Sequence, residues 1–122
     1  YQLAVVCDDI EQKITHVIRG SDLLESTPSQ LALFEAFSAP APAYLHLPVV
    51  VDRHGQKLSK QSHAPAIDNT AARDNLRAAF AALNHPLPAE LVRATPKDQL
   101  AWGRQHWFRE RLPRVLSVPQ SP

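Results

Sequence analysis

Two ammonium groups and a hydroxyl lie within four residues at Lys57-Leu58-Ser59-Lys60, just after the turn-like Asp52-Arg53-His54-Gly55. Cations on a mobile segment suit chemistry that builds negative charge on a triphosphate, because they can bind the transition state more tightly than the ground state. Lysine fits that task as a compact charge on a flexible stem. The same four residues also suit an ordinary solvated loop, and their spacing leaves both readings open. Arg19 is the second candidate. It ends a strand-like run and precedes Gly20, a place where α/β proteins often face a ligand, and a guanidinium there could clamp a carboxylate with two parallel hydrogen bonds. The alternative is a surface arginine paired with Asp22 or Glu25.

Other chemistries fit less well. Asp8 and Asp9 adjoin each other, and neighbouring strand residues point to opposite faces, so a turn role suits them better than a shared acid–base dyad. Histidines stand at 16, 46, 54, 63, 85 and 106, with no close His-x-x-x-His set or zincin motif among them. His16 and His46 fall in extended runs and read as satisfied structural residues. The single cysteine, Cys7, excludes an internal disulfide framework and a cysteine-based zinc cluster, and it reads as a small buried apolar group. Three glycines are too few for a glycine-rich phosphate loop or a dinucleotide fingerprint, and neither motif is present.

The elements that must position Arg19 and the lysines follow from patterning. Residues 1–7 form an apolar run that reads as a strand covered on both faces. A polar turn over 8–13 leads to a second strand at 14–18, rich in β-branched residues. Thr27-Pro28-Ser29-Gln30 predicts a threonine-capped helix to about Phe37, with Leu31, Leu33, Phe34 and Phe37 on one broad apolar face, ended by Pro40 and Pro42. Residues 44–51 are extended, and Pro48 assigns them to an edge or irregular strand. Residues 56–61 read as a loop. From Ser62 the pattern is helical, with Leu76, Ala79, Phe80 and Leu83 aligned before Asn84 and Pro86; a short helix follows over 88–93. Thr95-Pro96-Lys97-Asp98 starts a last helix carrying Leu100, Gly103, Trp107 and Leu112 towards Pro113, and residues 117–122 read as a tail.

The bounds on class are loose but useful. With 122 residues, 44% of them apolar and 20% charged, the chain can build one small domain and is not compositionally disordered. A net charge of +1 excludes a generally basic coat for nucleic acid. The charge is nevertheless uneven, −2 up to Gln61 and +3 beyond it. The excess lies on Arg104, Arg109, Arg111 and Arg114, which suits either a solvated helix face or contact with a phosphate backbone. No apolar stretch approaches the roughly 18 residues that cross a bilayer, so no membrane partner is expected. One cysteine and no secretion pattern make a cytoplasmic setting the default.

Read together, four segments resemble the second half of the catalytic domain of glutamyl-tRNA synthetases. They are Tyr1-Gln2-Leu3-Ala4-Val5-Val6-Cys7-Asp8-Asp9, the run from Ile14-Thr15-His16-Val17-Ile18-Arg19-Gly20 to Ser26-Thr27-Pro28, His46-Leu47-Pro48, and Lys57-Leu58-Ser59-Lys60. The resemblance implies an α/β chain: part of the class I aminoacyl-tRNA synthetase Rossmann-like catalytic fold over 1–61, with an edge of mixed sheet, then a helical region over 62–116 and a tail over 117–122. It implies ATP-dependent activation of glutamate, with Mg2+ accompanying the ATP. By the same carry-over, Tyr1 and Arg19 recognise glutamate, Asp22 and Leu47 lie at the ATP, and Lys57, Ser59 and Lys60 form the mobile catalytic loop, Lys60 neutralising the triphosphate.

The later helices, with the pair His106-Trp107, resemble the short carboxyl-terminal part of the glutamyl-Q tRNA(Asp) synthetase subgroup. That resemblance implies transfer of glutamate to queuosine in the anticodon loop of tRNA(Asp), by a monomer and as part of a longer enzyme. Zinc and the first phosphate motif are then expected in the amino-terminal half. The alternatives are part of an ordinary glutamyl-tRNA synthetase charging tRNA(Glu), or a non-catalytic RNA-binding remnant using the arginine-bearing last helix. Two departures stand out: Lys13 occupies a position where glycine is frequent, and Gln61 follows Lys60 where arginine is common.

Overall fold

The computed structural model describes residues 1–59, 64 and 66–120. Lys60, Gln61, Ser62 and His63 lie outside that set, so the last lysine of the loop and the expected start of the helical region do too. The chain divides into two compact units, Tyr1–Leu47 and Pro48–Pro122.

The first unit is α/β. It runs α1 (Gln2–Glu11), β1 (His16–Gly20), a 3-10 segment (Ser21–Ser26), α2 (Thr27–Ala36) and β2 (Ala43–Leu47). β1 and β2 pair in parallel, with Arg19 opposite His46 and Gly20 opposite Leu47. A parallel pair needs a crossover, and α2 supplies it. The expected first strand is a helix, and the hairpin built on it is absent. Its protected positions, Gln2, Val5, Val6, Asp9 and Ile10, recur at three and four residues, the helical period. Two of the five are polar, so hydrophobicity alone hides the period behind the run Leu3-Ala4-Val5-Val6-Cys7. Helical rotation also turns Cys7 outward beside the fully buried Val6, so Cys7 is exposed and is not a core residue.

Helix α1 stops in a Schellman motif. The amides of Lys13 and Ile14 donate to the carbonyls of Ile10 and Asp9, and Lys13 sits at φ 55°, the left-handed conformation that glycine adopts without strain. Ser38 after α2 and Asn84 after the third helix repeat the arrangement at φ 53° and 58°. On α2 the inward residues are Thr27, Gln30 and Phe34, while Leu31 and Phe37 are exposed. Thr27 lies inside the helix instead of capping it, because its hydroxyl is drawn to Arg19 and the Leu23 carbonyl. Burial of Phe34 against this small core is worth about 1.5–3 kcal/mol.

Pro48 breaks the extended run 44–51. Its second half is β3 (Val49–Val51), which belongs to a different sheet and pairs in parallel with β4 (Ser117–Pro119). Among the described residues there are thus two separate parallel pairs, the second flanked by an antiparallel bridge between Val51 and Lys57, where one mixed edge was expected, and Ser117–Pro119 is a strand and not a loose tail. Between them run a 3-10 turn (Asn69–Ala71), α3 (Ala72–Ala82), a single 3-10 turn (Ala89–Leu91) where a short helix was expected, α4 (Pro96–Gln105) and another 3-10 turn (Arg109–Arg111). Asp68 caps the first turn by accepting from the Thr70 amide, and Thr95 caps α4 by accepting from the Asp98 amide.

Leu76, Phe80 and Leu83 face inward as expected, while Ala79 is exposed. Phe80 packs edge-on against Trp102 with ring centroids 5.9 Å apart, and it also lies against Gly103. Helix α4 ends before Trp107 because His85 captures that segment. The Nε2 of His85 accepts from the Phe108 amide at 3.0 Å, so Nδ1 carries the proton it shares with the Leu83 carbonyl at 2.7 Å, and the ring stacks on Trp107. Leu100 is consequently left exposed, and Leu112 is buried from beyond the helix.

Candidate functional site

The carboxyl ends of β1 and β2 gather Arg19, Gly20, His46 and Leu47, and the 3-10 segment that follows β1 adds Asp22. In open parallel sheets this edge is where ligands bind. Arg19 is half-buried there. Its Nε donates to His46 Nε2 at 3.2 Å and one Nη to Gln30 Oε1 at 2.7 Å; the other Nη donates to Thr27 Oγ1 at 2.8 Å and the Leu23 carbonyl at 3.2 Å. The guanidinium also lies over the Tyr44 ring, 4.8 Å from its centroid. The expected surface alternative, pairing with Asp22 or Glu25, is not the arrangement found.

Each of those partners is electrically neutral. Arg19 is thus locked in orientation while its positive charge stays uncancelled, which is how a protein prepares an anion site. One N–H of the Gln30-bonded Nη is left over from these four bonds. Two parallel donors from Arg19, the clamp expected from sequence, would require Gln30 or Thr27 to give way. The field is felt by the neighbours. Burial first, and then the Arg19 charge, hold the His46 imidazole below its usual range. Burial raises Tyr44, with Arg19 opposing and Asp9 adding to the rise. The Tyr44 hydroxyl is buried and makes no hydrogen bond among the described residues.

Tyr1 is 82% exposed at the head of α1. Its neighbour Gln2 is tied to the arginine cluster, because Gln30 Nε2 donates to Gln2 Oε1 at 2.6 Å. Patterning missed Thr27, Gln30 and Tyr44. The first two were legible only as capping residues and the third only as a strand aromatic, since nothing in a sequence marks a glutamine as the partner of an arginine eleven positions away.

In the second unit, the turn after β3 is built by Asp52, whose Oδ1 accepts from the amides of His54 and Gln56, while Gly55 takes φ 76°. Those hydrogen bonds, the Gln56 amide foremost, pull the Asp52 carboxyl below its usual range. The chain returns along β3, with Lys57 bridging Val51 and the Leu58 amide donating to the Val50 carbonyl. Lys57 and Ser59 therefore leave a pinned hairpin arm, and Lys57 is exposed.

A cavity of about 250 Å³ lies at the opposite, amino-terminal edge of the β1–β2 pair, lined by Asp9, Ile10, Lys13, Ile14, Thr15, Ala39 and Pro40. It is mostly apolar and holds none of the candidate residues. No group of three or more His, Cys, Asp or Glu among the described residues is placed to hold a metal ion. No helix among them is long and apolar enough to cross a membrane.

Residues 1–85 match the family described as tRNA synthetases class I (E and Q), catalytic domain. The chain is 46% identical over 118 residues to a glutamyl-Q tRNA(Asp) synthetase of Vibrio cholerae, covering 97% of this chain and 39% of that protein. It is 45% identical over 120 residues to one of Pseudomonas aeruginosa, covering 98% of this chain and 41% of the relative. The chain thus spans about two-fifths of the length of these curated relatives. Its fold is similar to a crystal structure of a glutamate tRNA ligase from Elizabethkingia meningosepticum in complex with its amino acid, with a TM-score of 0.64 and 24% identity over 99% of this chain and 28% of that one.

Proposed function

The chain belongs to the class I tRNA synthetase (E and Q) catalytic-domain family, and we propose that it serves ATP-dependent activation of glutamate and transfer of the glutamyl group to queuosine in the anticodon loop of tRNA(Asp). The observation that carries the first half is Arg19, a positive group held only by neutral acceptors at the carboxyl edge of a parallel pair. A side-chain carboxylate there gains a charge-assisted hydrogen bond, whereas an amide does not, and that difference separates glutamate from glutamine. The second half is supported by relatives named for that activity at 45–46% identity.

In the proposed reaction the α-carboxylate of glutamate attacks the α-phosphorus of ATP, forming glutamyl adenylate and releasing pyrophosphate. A queuosine hydroxyl then attacks the acyl carbon, and AMP leaves. Arg19 fixes the side chain, and Tyr1 joins it in recognising glutamate. Asp22 and Leu47 bound the ATP at the same sheet edge. Lys57, Ser59 and Lys60 follow the charge that moves onto pyrophosphate, and Mg2+ arrives with the triphosphate. The protein works as a cytoplasmic monomer, its residues 1–61 carrying the chemistry.

The deciding experiment supplies the full-length protein with ATP and labelled glutamate, and compares queuosine-bearing tRNA(Asp), unmodified tRNA(Asp) and tRNA(Glu). Label on the queuosine-bearing RNA alone is the expected result. Label at the 3′ end of tRNA(Glu) would establish ordinary charging, the activity named for the structurally similar ligase. RNA binding without adenylate formation would leave only a binding module.

A further inference from the structure

Gln30 is 1% exposed, and both ends of its amide are committed. Its Oε1 accepts from Arg19 at 2.7 Å and its Nε2 donates to Gln2 Oε1 at 2.6 Å. The guanidinium has only donors and so fixes Oε1 as the end of the amide that faces it, leaving Nε2 to reach Gln2 and joining α1, α2 and β1 through one side chain. A buried position against an arginine is where a carboxylate would ordinarily sit, and glutamate would fill the same volume. It would also cancel the charge, leaving a closed ion pair with little attraction for an incoming anion. An amide oxygen holds the same geometry and cancels nothing.

We propose that Gln30 is a positioning residue that determines specificity: it orients the Arg19 guanidinium while leaving its charge free, so that the site selects a ligand side chain ending in carboxylate over one ending in amide. Gln2 acts one step further back by accepting from Gln30 Nε2 and holding that amide in place. This assignment rests on the proposal that Arg19 receives glutamate. It extends it from the residue that touches the ligand to the one that tunes that residue.

The test is glutamate-dependent ATP–pyrophosphate exchange by the full-length protein, comparing wild type with Gln30→Glu, Gln30→Met and Gln2→Leu. Gln30→Glu is expected to raise KM for glutamate about tenfold or more, with KM for ATP within about twofold, and to narrow the preference for glutamate over glutamine. Gln30→Met keeps the charge of Arg19 but loses its orientation, so its KM rises less, by about three- to tenfold, and its preference for glutamate persists. A purely structural role would instead lower the thermal midpoint and kcat for all substrates alike, and that pattern overturns the assignment. So does wild-type discrimination in Gln30→Glu. Should that variant fail to fold, Gln30→Met and Gln2→Leu decide, with unchanged glutamate KM in both counting against it. Wild-type protein without glutamate-dependent exchange overturns the parent proposal and this one together, whereas normal wild type with an indifferent Gln30→Glu overturns this one alone.

Discussion

Arg19 and His46 are register partners on adjacent parallel strands, and the guanidinium Nε donates to the imidazole Nε2 at 3.2 Å. The contact requires an unprotonated Nε2, so the arginine and the histidine cannot both be cationic and keep it. Burial and the arginine's own charge reinforce that requirement by lowering the histidine's proton affinity.

A pH dependence follows. Because the folded value lies below the ordinary 6.5, the unfolded chain binds a proton at His46 before the folded chain does. This contribution to stability is full above about pH 6.5 and is lost as the pH falls through the lower, folded value. Thermal midpoints of wild type and His46→Gln, followed from about pH 7.5 to 5, should converge on the acid side as the wild type loses its advantage. Parallel curves would remove His46 from the titration.

Arg19→Lys keeps the charge but cannot make four separate contacts from one planar fork. Glutamate KM in pyrophosphate exchange should rise about tenfold or more, with ATP KM nearly unchanged. Equal losses for both substrates would show that the substitution had disturbed the sheet edge and not the amino-acid site.

Gly103 is required by its neighbour. A Cβ there would fall on the Phe80 ring, 2.5 Å from Cε1 and closer still to Cζ. Gly103→Ala should cost about 1–3 kcal/mol in urea unfolding, and noticeably less in a Phe80→Leu background. Equal costs in the two backgrounds would place the strain elsewhere.

Lys13 offers the opposite case. It holds a left-handed conformation at φ 55° with an exposed side chain, and glycine adopts that conformation without the Cβ penalty. Lys13→Gly should stabilise by about 1 kcal/mol, read from the urea midpoint. A destabilised variant would mean that the lysine side chain contributes more than its backbone strain subtracts.

What the sequence made legible was local. The Thr95 cap, the Asp52 turn, the inward Leu76 and Phe80 and the strand around Val17 and Ile18 all depend on neighbours within a few positions. The misread elements depend on distant ones. Helix α1 hides its period because Gln2 and Asp9 share the protected face with Val6, and Gln2 is there to meet Gln30. Ser117 reads as a tail until Val49 is known to pair with it. At the site, Arg19 was readable from its position after a β-branched run, but its partners were not. Thr27 and Gln30 carry strong capping signals, and the tertiary demand of a guanidinium overrode both.

The pairing of Val49 with Ser117 also sets an order of events at the ribosome. A nascent chain emerges from its amino terminus, so the β1–β2 pair can close while later residues are still being added, whereas β3 must wait for almost the whole of its unit. Until then its edge amides on that side lack their strand partner, and the loop to be closed is nearly as long as the unit itself. Folding of the first unit can therefore run ahead of the second, leaving the arginine cluster assembled while β3 is paired only with the Lys57–Leu58 arm and still waits for Ser117–Pro119.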